Sequence, residues 1–182
     1  MIGLNKIHGI TNRFACRGAF LSCLICFCTM YATAQNINIT GGGLTVETGT
    51  TINIPGNITV GNTTTITNNS SILLTGNWTN NGGTYAGAAG TVTFRGTAIQ
   101  LINGSSASTF NNVIINQSTA STVDMNANTT VAGLTFTNGK INIGTNTLTI
   151  GGAVTNTVTG GLRGSSNSSV TIAASNTAVS YT

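Results

Sequence analysis

Two carboxylate side chains, Glu47 and Asp124, are all that the chain offers for acid–base work. Paired-carboxylate chemistry needs both groups at one bond, and no sequence pattern brings these two together. The only histidine is His8, and the four cysteines are Cys16, Cys23, Cys26 and Cys28, all within residues 1–34. The serines and threonines beyond them therefore lack the imidazole of a hydrolytic triad, and zinc lacks its nitrogen and sulfur ligands. Calcium, which takes several carboxylates, finds no Asp-rich repeat. A phosphate-cradling Gly-Lys-Ser/Thr loop does not occur. The inventory predicts a chain that is not an enzyme and uses no metal or other cofactor. Trp78 and Tyr85 are the candidate ligand contacts, as a platform on which a sugar ring could stack. Trp78 shares the inward phase of its strand, so it reads first as a core residue. Arg95, directly after Phe94, reads as a solvated loop charge.

The reactive residues cluster in residues 1–34 for a physical reason. Lys6, Arg13 and Arg17 precede an uncharged apolar run at 19–31, and Ala32-Thr33-Ala34 places small residues before Gln35. This order is that of a secretory signal peptide cleaved after Ala34. The apolar run is shorter than the roughly 20 residues that span a bilayer as a helix, which argues against a membrane anchor. The residues before Cys23 and Cys26 do not form the small-residue box of a lipoprotein signal. Cleavage would remove every cysteine, the histidine and half of the basic residues. Residues 35–182 then carry Arg95, Lys140 and Arg163 against Glu47 and Asp124, a net charge of +1. Such a balance gives no reason to expect nucleic acid as a partner, and this segment contains no membrane-spanning run.

The elements that would position these residues are short strands. Apolar residues alternate with Thr or Asn in bursts such as Ile52/Ile54, Ile58/Val60, Ile72/Leu74, Val92/Phe94, Ile99/Leu101, Leu134/Phe136 and Leu148/Ile150. A period of two gives one apolar and one polar face, and β-branched residues suit a pleated surface. Gly, Asn and Ser clusters between the bursts supply turns. Residues 52–60 align with residues 72–80 without a gap, Ile58 matching Trp78, and a looser echo pairs Leu44/Val46 and Ile52/Ile54 with Leu134/Phe136 and Ile141/Ile143. Three short strands in a repeat of about 20 residues predict an all-β, right-handed parallel β-helix of about seven turns. The alternative is an antiparallel β-sandwich. Asn at the turns is expected to stack from coil to coil. The Gly/Ala run at 86–90 and the Gly/Ser run at 104–108 are expected to project as loops. The strand-like burst close to Thr182 is expected to continue into a longer protein, of which this sequence would be a fragment.

Thr-x-Thr runs at 63–67, 145–149 and 155–159 raise one more possibility. A flat threonine ladder on one face of a solenoid resembles an ice-binding surface. The runs are unevenly spaced along the chain, which favours the plainer reading of Thr as an outward β-former.

The second half also resembles a known group. Gly90-Thr91-Val92-Thr93-Phe94-Arg95-Gly96-Thr97, Gln100, Gly104 and Phe110-Asn111-Asn112-Val113-Ile114-Ile115-Asn116 form a block that recurs in large secreted and cell-surface repeat proteins of bacteria with type IX secretion. Leu134-Thr135-Phe136-Thr137-Asn138-Gly139-Lys140-Ile141 and Gly144-Thr145-Asn146-Thr147-Leu148-Thr149-Ile150 continue it. The resemblance covers residues 76–182. It implies a parallel β-helix in an adhesin-like protein and brings no catalytic residue with it. These proteins usually end in a C-terminal sorting domain, which does not occur in this sequence. The expectation is a monomeric, non-catalytic structural or adhesive segment, secreted or on the bacterial surface, with a surface or glycan partner that the residues do not identify. A carbohydrate-binding module is the alternative.

Overall fold

The computed structural model of the protein describes residues 35–86, 89–118, 120–156 and 160–172. The expected signal peptide, the last ten residues, the middle of the 86–90 run and the end of the 155–159 run lie outside the described residues. Thr, Val and Ile in alternation with polar residues make strands throughout, and no helix occurs among the described residues. The first turn of the coil contains β1 (Ile37–Ile39), β2 (Gly43–Val46) and β3 (Thr51–Ile54). The second contains β4 (Ile58–Val60), β5 (Thr65–Asn68) and β6 (Ser71–Leu74), and the third β7 (Trp78–Asn80), β8 (Thr84–Ala86) and β9 (Thr91–Phe94). Then follow β10 (Gln100–Asn103) with β11 (Ser108–Asn116), and β12 (Thr122–Met125) with β13 (Thr129–Asn138). The sixth turn is β14 (Lys140–Asn142), β15 (Thr147–Ile150) and β16 (Val154–Asn156), and β17 (Gly161–Arg163) and β18 (Ser169–Ile172) begin another.

Every strand pairs in parallel with its equivalent one turn away, so the chain is a β-solenoid of about 6 turns of roughly 21 residues. A sandwich of antiparallel strands is excluded by the same pairing. The offset read from the sequence is the ladder register: Ile52 lies beside Ile72, and Ile58 beside Trp78. At about 4.8 Å per rung, six turns stack to about 29 Å.

Three faces enclose the core. The first is the sheet β1-β4-β7-β10-β12-β14-β17. The second begins with β2-β5-β8, and the third with β3-β6-β9. From the fourth turn the second and third faces merge, because β11 and β13 run around the corner between them without a break. Residues 108–110 of β11 pair with 129–131 of β13, whereas residues 112–115 pair with both β9 and β13. β13 divides in the same way, with β15 on its first half and β16 on its second. Ile54, Ile58, Ile72, Leu74, Val92, Phe94, Ile115, Leu134 and Leu148 fill the interior and are buried.

Two readings of the sequence need correction. The Ile99/Leu101 burst has the opposite phase: Gln100 and Ile102 point inward, and Ile99 is 59% exposed. Ile102 stacks on Trp78 in the ladder, and that column fixes the phase of β10. The Leu44–Leu134 echo is also not a structural repeat. Leu44 lies on the second face, while Leu134 is in the part of β13 that continues the third. Strands of one composition produce such matches by chance.

Asparagines do stack at a corner, but through the main chain. The Asn57 N–H donates to Asn36 Oδ1 at 2.8 Å, the Asn77 N–H to Asn57 Oδ1 at 2.7 Å, and the Leu101 N–H to Asn77 Oδ1 at 2.8 Å. Each side chain thus satisfies an amide that the bend takes out of the sheet. Replacing Asn77 by Ala leaves the Leu101 N–H unpartnered. A loss of about 1 kcal/mol in stability is expected, read as a lower urea midpoint with unchanged slope. An unchanged midpoint would mean that the corner does not need this bond.

Candidate functional site

Trp78 enters the interior from β7 because it occupies the column of Ile37 and Ile58 on the first face. It is 2% exposed. Tyr85, from β8 on the second face, is half-buried and packs against the same core. Their rings meet edge to face at 5.9 Å between centroids. Phe110 of β11 lies 4.8 Å from Trp78 and 5.6 Å from Tyr85, and Phe94 lies 6.2 Å from Phe110. All four contacts have the edge-to-face geometry that aromatic quadrupoles favour. The structure thus brings Trp78 and Tyr85 together, but as part of a core cluster. A sugar-stacking platform needs an open ring face, and burial removes Trp78 from that role.

The Tyr85 hydroxyl accepts a hydrogen bond from Asn68 Nδ2 at 2.8 Å. Burial pushes this phenol above its ordinary value of 10.0, and the bond from Asn68 opposes the shift. The fold therefore keeps the proton at a pH where the unfolded chain has released it. The contribution to stability is whole below about pH 10 and is lost as pH rises through the raised value. Tyr85→Phe should flatten the alkaline side of a stability-against-pH curve. At neutral pH it should cost about 1 kcal/mol through the lost bond. Equal alkaline slopes in both proteins would contradict this assignment.

Polar residues also enter the interior. Gln100 Nε2 donates to the Leu74 carbonyl at 3.1 Å and to the Gly76 carbonyl, and Gln117 Nε2 donates to Gln100 Oε1. Asn80 Nδ2 donates to the Ala107 carbonyl at 2.7 Å, while its Oδ1 accepts from the Gly82 and Gly83 amides. These side chains replace turn hydrogen bonds where the repeat lengthens. The β7–β10 rung spans 24 residues, against 20 for β4–β7. Trp78 Nε1 and Gln117 Oε1 are buried without a hydrogen-bond partner.

The two carboxylates are not brought together. Glu47 is exposed just after β2 in the first turn, and Asp124 lies on β12 of the first face in the fifth. Four rungs put them about 19 Å apart along the axis, well beyond the spacing of a paired acid and base. Asp124 Oδ1 accepts a hydrogen bond from Thr122 Oγ1 at 2.6 Å. Arg95 is exposed, as its position after Phe94 suggests. No group of three or more His, Cys, Asp or Glu residues gathers among the described residues. No helix among them is long and apolar enough to cross a membrane. No protein-family model, curated protein or solved structure matches the chain.

Proposed function

We propose that this chain is a non-catalytic structural segment of an exported, adhesin-like bacterial repeat protein: a stiff β-solenoid that carries other surfaces outward from the cell. The observation that supports this most is how the coil uses its side chains. Among the described residues its aromatic rings pack into its own core, and its two carboxylates stand on different turns at separate corners and faces. What remains outside is mostly Thr, Asn, Ser and Gly. Closed coils expose strand edges only at their ends, so a surface with few charges is tolerable. The signal-like order of residues 1–34 and the resemblance of residues 76–182 to type IX-secreted repeat proteins supply the export part of the reading.

The test is to produce the chain with its own leader in a bacterium that has type IX secretion, then sequence the N-terminus of the product found outside the cell. A product beginning at Gln35 is expected, and removal of residues 1–34 should abolish its appearance there. An uncleaved chain kept inside the cell would refute the export reading.

A further inference from the structure

On the second face the strand register gathers threonines that the sequence scatters. Thr109 of β11 lies beside Thr130 of β13, Thr130 beside Thr149 of β15, and Thr149 beside Thr171 of β18. A neighbouring column holds Asn128, Thr147 and Ser169, the Thr147 N–H donating to Asn128 Oδ1 at 2.9 Å. In the first three turns the same face pairs Thr45 with Thr67 and Thr65 with Thr84. Turns of unequal length absorb the uneven spacing in sequence, so the 63–67 and 145–149 runs both reach this face. Thr109, Thr130 and Thr171 are exposed and Thr149 is half-buried. Other threonine hydroxyls bond within the fold, as Thr64 does to the Gly61 carbonyl. Among the described residues, the four column hydroxyls have no such partner.

Two further observations narrow the occupant. No charged residue lies on the strands of the second face: Asp124, Lys140 and Arg163 belong to the first, Arg95 follows the third, and Glu47 lies past the end of β2. The face is electrically matched to a neutral partner, not to an ionic one. Nor does the patch on β11, β13, β15 and β18 offer an open aromatic ring on which a crystalline sugar would stack: Phe110 is buried, and Tyr85, half-buried on β8 of the same face, packs against the core.

What the face does present is a column of four threonines, each with a hydroxyl and a methyl group, beside a second polar column of Asn128, Thr147 and Ser169. Rungs repeat about every 4.8 Å along the axis, and the two columns stand about 6.6 Å apart along each strand. The repeat along the axis is close to an oxygen–oxygen repeat on faces of hexagonal ice. Threonine suits such a role because its branched side chain has few rotamers, and each hydroxyl can both donate and accept. We propose that the threonine face of β11, β13, β15 and β18 is a binding surface for ordered water at the face of an ice crystal. This goes beyond the structural role proposed above and stands on separate residues.

The test uses the whole chain in assays of thermal hysteresis and ice recrystallisation. The protein should slow recrystallisation. Thr130→Tyr and Thr149→Tyr, each with an unchanged circular dichroism spectrum, should lose that activity. Thr59→Tyr on the first face should keep it. Should a tyrosine variant fail to fold, Thr109→Lys at an exposed position of the same column provides the substitution, with the same loss expected. A folded wild-type chain without effect on ice would overturn the proposal, as would full activity in the folded face variants. Retention on insoluble cellulose or chitin without ice activity would also overturn it, in favour of a glycan partner.

Discussion

Phe110→Ala should destabilise the coil by about 3–5 kcal/mol, the range for truncating a buried aromatic. Phe110 is the hub of the interior, touching Trp78, Tyr85 and Phe94, which come from three different strands and all three faces. A small residue there leaves a cavity that the surrounding rings cannot close, because each is fixed by its own strand ladder. Domains of this size are stable by only about 5–15 kcal/mol, so the loss is a large share of the total. Urea titration followed by tryptophan fluorescence reads it directly, since Trp78 is the only tryptophan. A change near the ordinary substitution value of about 1 kcal/mol would mean that the cluster is not the keystone that its geometry suggests.

Gly104→Val should be comparably damaging for a different reason. Gly104 has φ +123°, in the region that disfavours side chains, and a Cβ there would overlap the carbonyl oxygen of Asn80. This is where the lengthened fourth turn sits on the third: the Ser106 N–H donates to the Asn80 carbonyl at 3.1 Å, and the Ser105 N–H to Asn81 Oδ1 at 3.2 Å. Backbone strain of about 1–3 kcal/mol adds to the overlap with a main-chain atom that cannot move without breaking these bonds. A total near 3 kcal/mol or more is expected, again in urea titration. Gly41→Val is the control, since a Cβ there meets nothing. Equal effects at both positions would show that the stacking of Gly104 on Asn80 is unimportant.

The repeat was legible where inward positions were apolar on consecutive turns. Ile52 over Ile72 and Ile58 over Trp78 needed no structure to find, because both the residues and their spacing recur. Reading failed where the interior column becomes polar. Gln100 points inward and Ile99 outward, and nothing in the alternation of Ile99, Gln100, Leu101 and Ile102 decides which phase wins. The decision comes from the Trp78 column one turn below. Strands β5, β8, β12, β16 and β17 show no clear alternation in the sequence, because one or two apolar residues among small or polar ones give little contrast. They are strands because neighbours supply the ladder, on both sides for β5 and β12 and on one side for β8, β16 and β17.

The site was legible in part. The inward phase of Trp78 was readable from its match to Ile58. Its partner Phe110 was not, because that contact depends on how the fourth turn lengthens. The threonine face was hidden for the same reason. Thr130, Thr149 and Thr171 become one column only after corners of different length are subtracted.

The solenoid, its threonine face and its structural role all require rung-by-rung parallel register, and an engineered disulfide tests that register most directly. In a chain with the four native cysteines replaced, Thr109→Cys with Thr130→Cys places two thiols on adjacent rungs, about 4.8 Å apart at the backbone and within the reach of a disulfide. Thr109→Cys with Thr149→Cys places them two rungs apart, beyond that reach. The register predicts that mild oxidation closes the first pair in nearly every molecule and leaves the second pair open. Closure of the second pair in place of the first would contradict the solenoid register, and with it the threonine face and the structural role built on it.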